Sequence, residues 1–215
     1  MNTVHRLLDV GLEQLTALIY RMGEVAEKAI TISINGFLKG KDETESVRDI
    51  SDVLAAMSVE VENKAFELIA KYQPVASDLR IINSYMKIGY DFERYGRYAW
   101  DISFTHKKLI GLHKCSDSEK LMHGLVQKIS EMVGISVQAL KQHDAELAKT
   151  LAEMEKEVDA LFFEYLDEIA TAKTQNRRVM CNLLISRYLE RIADHTTYVG
   201  ESIVYIVTGE KLSLR

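Results

Sequence analysis

The sequence predicts an all-α fold of six long helices, arranged as two tandem antiparallel three-helix bundles related by an internal pseudo-twofold repeat. Three observations carry this. First, Asp91-Phe-Glu-Arg-Tyr-Gly-Arg97 returns as Tyr188-Leu-Glu-Arg-Ile-Ala-Asp194, with Glu93-Arg94 and Glu190-Arg191 offset by 97 residues. Self-similarity over half a chain means two copies of one folding unit. Second, apolar residues recur at bundle spacing along almost the whole chain, with no period-2 alternation and no Asn-Gly hairpin signal. Third, Pro74 is the only proline, so no other position lacks a backbone donor and long helices are uninterrupted.

The elements follow in order. Leu8, Leu15, Met22 and Ala29 repeat every seven residues, with Leu12, Ile19, Ala26 and Ser33 completing the stripe of the first helix. It ends at Gly36 and Gly40, where a left-handed turn costs little. Val47, Ile50, Leu54, Met57, Val61 and Ala65 define the second helix, which stops at Tyr72-Gln73-Pro74. The third is expected to be capped by Ser77-Asp78 and to continue through Ile81, Ile88, Phe92, Tyr95 and Ile102. Residues 110–118 break the pattern and read as a linker, with Ser118 the expected cap of the fourth helix. That helix runs through Leu121, Leu125, Ile129, Val133 and Val137. The fifth shows Leu147, Leu151, Met154, Val158, Leu161 and Tyr165; the sixth shows Leu183, Leu184, Ile192, Val199, Ile203 and Ile206, up to Gly209. Each helix is expected to span ~30 residues, or ~45 Å. The units are therefore 1–109 and 119–215, joined by 110–118. Short loops make successive helices antiparallel neighbours.

Charge and composition exclude several functions. Residues 1–109 carry 16 acids and 14 bases, and residues 110–215 carry 16 and 13. A balanced chain with net charge -5 has no basic arm for nucleic acid. Cys115 and Cys181 form no CxxC motif, which fits a reducing cytoplasm. Met1 to Asp9 shows no signal peptide, and no apolar run approaches the ~20 residues that span a bilayer.

Candidate chemistry lies in the second copy. Glu190 and Asp194 are four apart, so both carboxylates project from one helix face and repel unless a cation lies between them. The second and fifth helices align at an offset of 104, matching Val47, Ile50, Leu54, Met57 and Val61 to Leu151, Met154, Val158, Leu161 and Tyr165. In that register Asp159, which can add a third oxygen, stands opposite Ala55. Oxygen-only sites suit hard cations such as Mg, Ca, Mn or iron. In the first copy Arg97 replaces Asp194, four residues after Glu93. The first-copy site is expected to be metal-free, with the Arg97 guanidinium neutralising Glu93. The alternative for Glu190 and Asp194 is a solvated face on which Arg187 and Arg191 pair with them at three residues. His195 reads as a surface or packing residue. The methionines (Met22, Met57, Met86, Met154, Met180) read as core. Tyr85, Tyr90, Tyr95, Tyr98 and Trp100 read as core plus an association surface, expected to support a homodimer. No nucleophile elbow, Gly-rich phosphate loop or Glu-x-x-His occurs. No catalytic residue is therefore assigned, and a carboxylate-bridged metalloenzyme of the helical-bundle type is disfavoured.

Gln73-Pro-Val-Ala-Ser-Asp-Leu-Arg80, Lys87-Ile88 and Asp91-Phe-Glu-Arg-Tyr-Gly resemble the PhoU family signature, QPVAxDLR followed by KIxxDLERIGD. Tyr188-Leu-Glu-Arg-Ile-Ala-Asp-His195, Glu201 and Val207-Thr-Gly-Glu210 resemble its second repeat, so the likeness covers essentially the whole chain. The resemblance implies six helices in two bundles. It further implies a non-enzymatic cytoplasmic regulator, recruited to the membrane through its partners. Such a regulator restrains a phosphate ABC transporter and reports to a membrane sensor histidine kinase. An accessory role at another phosphate or ion transporter is the alternative. The resemblance also implies iron or another cation (Mn, Mg, Zn or Ca) on Glu190, Asp194 and Asp159. Arg97 and Ala55 depart from the acids of the family's first-repeat cluster.

Overall fold

The structure is a computed structural model and describes residues 7–111, 120–171 and 176–214. Helices α1 (Leu7–Lys39), α2 (Thr44–Tyr72) and α3 (Ala76–Ile110) form the first bundle. Helices α4 (Lys120–Gln142), α6 (Leu151–Thr171) and α7 (Arg177–Thr208) form the second, with the short α5 (Ala145–Lys149) inserted before α6. The heptad stripes face inward as the period demands. Leu15, Ile19, Met22, Val47, Leu54, Val61, Phe92, Tyr95, Ile129, Val133, Leu151 and Val158 are all essentially buried. Turn chemistry sets the ends: Gly40 and Gly209 adopt φ of 68° and 78°, in the left-handed region where glycine is unstrained. Asn176 caps α7 by accepting from the Arg178 and Val179 amides at 3.0 and 3.1 Å. No described helix is long and apolar enough to cross a membrane.

The two bundles join along a seam in which α3 lies against α7 and α1 against α4. The seam obeys the pseudo-twofold at the level of side chains. Asp91 and Tyr188 occupy one repeat position, and Tyr98 and His195 another, each pair separated by the 97-residue offset. Across the seam Asp91 Oδ1 meets His195 Nδ1 at 2.8 Å, and Tyr98 stacks on Tyr188 with centroids 6.4 Å apart. Each position of one copy thus meets the other position of its partner copy, the pairing rule of an isologous twofold contact. Tyr98 and His195 themselves approach to 5.8 Å, where the pseudo-axis passes. The buried Tyr95 hydroxyl and Ser136 Oγ, 3.1 Å apart, tie α3 to α4. Gly23 of α1 lets the Phe92 ring and Val137 close in, since a Cβ there would lie 3.2 and 3.5 Å from them.

Several elements differ from the sequence reading. The fifth helix is broken: Leu147 belongs to α5, and α6 starts at Leu151. The Thr150 hydroxyl donates to the Leu147 carbonyl at 2.7 Å, competing with the regular helical ladder at the break. Helices α4 and α6 have 23 and 21 residues, shorter than the expected ~30. The N-cap of α3 is Val75, without a side-chain bond, and Ser77-Asp78 lie inside the first turn, where Asp78 faces the positive end of the helix dipole. Met180 and Leu184 are exposed, because they lie on the side of α7 turned away from the buried Cys181, Asn182 and Ile185. The expected linker lies, apart from Ile110 and Gly111, outside the described residues, as does Ser118.

One stability determinant sits at the turn into α2. Asp42 accepts from the Thr44 amide at 3.1 Å and from Lys107 Nζ of α3 at 2.8 Å. The Lys107 bond, then the Thr44 bonds, hold its carboxyl down at about 2. A carboxyl lowered in the folded state stabilises above its unfolded value near 3.8, and that contribution fades as pH falls toward 2. Asp42→Ala is expected to cost about 1 kcal/mol at neutral pH, mostly through the lost helix-start bond, since an exposed ion pair contributes little. In urea titrations the gap to the parent protein should narrow between about pH 4 and pH 2; a constant gap would refute the assignment.

Candidate functional site

Helices α6 and α7 run side by side and place four carboxylates in one open pocket of about 460 Å³, lined by Glu155, Asp159, Glu190, Arg191 and Asp194. Each helix contributes an acid pair at i, i+4, the spacing that puts both groups on one face. The three acids expected from the sequence are brought together. Glu155 is the one that sequence reading missed. Its signal was available: Glu155 precedes Asp159 by the same four residues that separate Glu190 from Asp194. Glu155, Glu190 and Asp194 are 8%, 9% and 5% exposed and Asp159 is half-buried, and the two arginine pairings expected of a solvated face are present as well.

The charges in the pocket are partly compensated. Arg187 Nη1 lies 2.6 Å from Glu190 Oε1, and Arg191 Nη1 donates to Asp194 Oδ2 at 2.7 Å. The Arg187 guanidinium is also steadied over the Phe162 ring of α6, 5.9 Å from its centroid. The compensation is incomplete at Glu190, whose buried Oε2 has no hydrogen-bond partner. Burial, then the Asp194 charge, pushes the Glu190 carboxyl above its usual range, with Asp159 adding to the repulsion and Arg187 opposing it. As the side chains stand, no group of three or more His, Cys, Asp and Glu among the described residues is set to hold a metal ion. The two arginines occupy the carboxylates that a cation would use. The donor set nonetheless fits an oxygen-preferring cation, because it is all carboxylate, clustered and left with an orphaned buried oxygen.

The first repeat lacks this chemistry. At the offsets of 104 and 97, Glu155, Asp159, Glu190 and Asp194 correspond to Ser51, Ala55, Glu93 and Arg97. One acid of four remains. Arg97 is exposed on α3, and the acid on which its charge bears is Asp101, whereas Glu93 bears on Arg94. The expected Glu93–Arg97 ion pair is not among the contacts of the described residues.

The seam adjoins this pocket. Arg191 holds Asp194, and its charge also acts on Tyr98 of α3, which accepts from Arg94 Nη2 at 3.1 Å. Burial raises the Tyr98 hydroxyl, but the two arginines, Arg94 first, outweigh it and bring the group below its ordinary value. His195, read from the sequence as a surface or packing side chain, is buried at the seam on Asp91 rather than in the acidic pocket. The aromatic cluster divides similarly. Tyr85, Tyr95 and Tyr98 are buried, and Tyr98 serves the contact between repeats, while Tyr90 is 55% exposed.

This architecture defines a class: an all-α protein of duplicated three-helix bundles, with a carboxylate pocket in the second copy. The PhoU domain model matches residues 19–104 and 122–203, and the chain belongs to the PhoU family. It is 34% identical over 97% of its length to a phosphate-specific transport system accessory protein PhoU homolog of Clostridium acetobutylicum, covering 98% of that protein. The crystal structure of PhoU from Pseudomonas aeruginosa superimposes with TM-score 0.87 at 27% identity, over 94% of this chain and 99% of that one. A phosphate transport system regulatory protein PhoU from Streptococcus pneumoniae shares the fold, with TM-score 0.85 at 22% identity, over 96% and 99% of the two chains.

Proposed function

We propose that this protein is a non-enzymatic accessory protein of a phosphate transport system. It restrains the phosphate ABC transporter and passes the transporter's state to a sensor histidine kinase. The observation that carries the reading is the end-to-end match to a relative named as an accessory protein of that system. The rigid helical surface supports it, because a partner that differs by ~1–3 kcal/mol in its affinity for two transporter states is enough for useful control. Such a protein works at the membrane face through its partners and needs no span of its own. Glu155, Asp159, Glu190 and Asp194 would hold a hard cation, iron or manganese among the candidates, through carboxylate oxygens once Arg187 and Arg191 turn to solvent. The cation would supply positive charge to a buried acidic cluster. Because the Arg191 charge also acts on Tyr98, its release would be felt at the seam between the repeats.

The test is affinity capture of the tagged, full-length protein from phosphate-replete and phosphate-starved cells, with metal content measured on the purified material. Transporter subunits and a sensor kinase are expected, in amounts that change with phosphate. Capture of subunits of a different ion transporter would favour the alternative accessory role, and capture of no transport or sensor component would overturn the proposal. A stoichiometric cation is expected in the parent protein and should be lost in Glu190→Gln/Asp194→Asn; retention in that variant would exclude the pocket.

A further inference from the structure

A second cavity, independent of the acidic pocket and of the transport reading, lies along the seam between α3 and α7. It has a volume of about 610 Å³, within the range of small-molecule sites. Its deep residues are polar and buried: Ser84 is 1% exposed, Asp91 4% and Ser202 7%. Ser84 Oγ has no hydrogen-bond partner. A serine in a helix ordinarily returns its hydroxyl to a backbone carbonyl, as Ser130 and Thr16 do here. A buried hydroxyl left unpaired is costly unless something in the cavity bonds to it.

The last wall is the C-terminal segment, and it is fastened. The Leu214 amide donates to Glu201 Oε1 at 2.9 Å. The Leu214 side chain is buried against Gly200, where a Cβ would stand only 3.0 Å from it. This brings Lys211 and Leu212 over the cavity.

The lining is acidic and aromatic. Glu62, Asp91 and Glu201 face Lys87 and Lys211; His195 takes Asp91 Oδ1 at 2.8 Å, and the Glu201 charge acts on Asp91. Tyr90, Tyr198 and Tyr205 present rings to the same space. One of these rings already takes cations: Lys211 Nζ and the Arg80 guanidinium lie 5.7 and 5.9 Å from the Tyr205 centroid. A carboxylate floor with aromatic walls is the chemistry that holds an ammonium group, by charge and by the negative faces of the rings.

We propose that this groove binds a small organic cation, a primary or quaternary amine that carries a hydroxyl. The ammonium group lies among Tyr90, Tyr198 and Asp91, the hydroxyl pairs with Ser84, and Lys211 is a resident competitor from the protein's own tail.

The experiment is calorimetric titration of the intact protein with choline, ethanolamine and tyramine, with 3,3-dimethylbutan-1-ol as the uncharged isostere of choline and inorganic phosphate as an anionic probe. At least one amine should bind, and the uncharged isostere about tenfold more weakly than choline if choline is the ligand, the ratio that a cation–π and ion-pair site supports. Tyr90→Ala, at an exposed position, should weaken binding about fivefold without changing thermal stability. Lys211→Met should tighten it, because a competing ammonium is removed. Binding of none of the amines, equal binding of choline and its isostere, or phosphate binding that Lys211→Met abolishes would each overturn the proposal.

Discussion

His195→Ala is expected to lower stability by about 2–3 kcal/mol, the cost of leaving a buried carboxyl group without its hydrogen-bond partner. The partner is Asp91, bonded to His195 Nδ1 at 2.8 Å, with both side chains 6% exposed. Burial, the largest influence on it, pushes the Asp91 carboxyl above its usual range, and His195 is first among the groups opposing this. Without the imidazole, only the weaker attraction of Lys87 remains. Asp91→Asn should cost about 1 kcal/mol, since its amide oxygen still accepts from the ring and no ionised group is stranded. Urea denaturation of both variants decides the matter. Equal costs for the two, or a loss under about 1 kcal/mol for His195→Ala, would show that water from the adjoining groove solvates Asp91.

Phe92→Ala should be more severe, about 3–5 kcal/mol, for an apolar reason. The ring is fully buried, meets Tyr95 edge-on at 5.5 Å, and fills the space that Gly23 opens where α1 and α3 meet α4. Truncation leaves a cavity that three long helices cannot collapse. Gly23→Ala alone sets a helix-propensity gain of up to about 1 kcal/mol against crowding, because its Cβ would stand 3.2 Å from the Phe92 ring. In the Phe92→Ala background the crowding is gone, and the same change should stabilise. A double-mutant cycle should therefore show coupling above about 0.5 kcal/mol, and strict additivity would argue that the ring and the glycine do not share this space.

Much of the architecture was legible before the coordinates, and the exceptions are specific. The seven-residue stripes of Leu8 through Ala29 and of Val47 through Val61 mark which side of each helix is apolar, and those sides are the core. The break at Thr150 was not legible, because a hydroxyl that donates to the Leu147 carbonyl three residues back leaves the apolar spacing almost intact. At the acidic pocket, the i, i+4 spacing of Glu190 and Asp194 was visible and Asp159 followed from repeat alignment. Glu155 was overlooked although it bears the same spacing to Asp159.

The sequence by itself determined the all-helical class, the duplication and three of the four acids of the second-copy pocket. All three follow from short-range periodicity and from comparison of the chain with itself. Only the tertiary structure decided which polar faces meet. Asp91 and His195 are 104 residues apart, and nothing local to either names the other. Ser84 looks like any helical serine until α7 and the C-terminal segment enclose it. The physical reason is that apolar period fixes which face a helix buries, whereas the pairing of buried polar groups depends on the rotation and offset of helices that only packing sets.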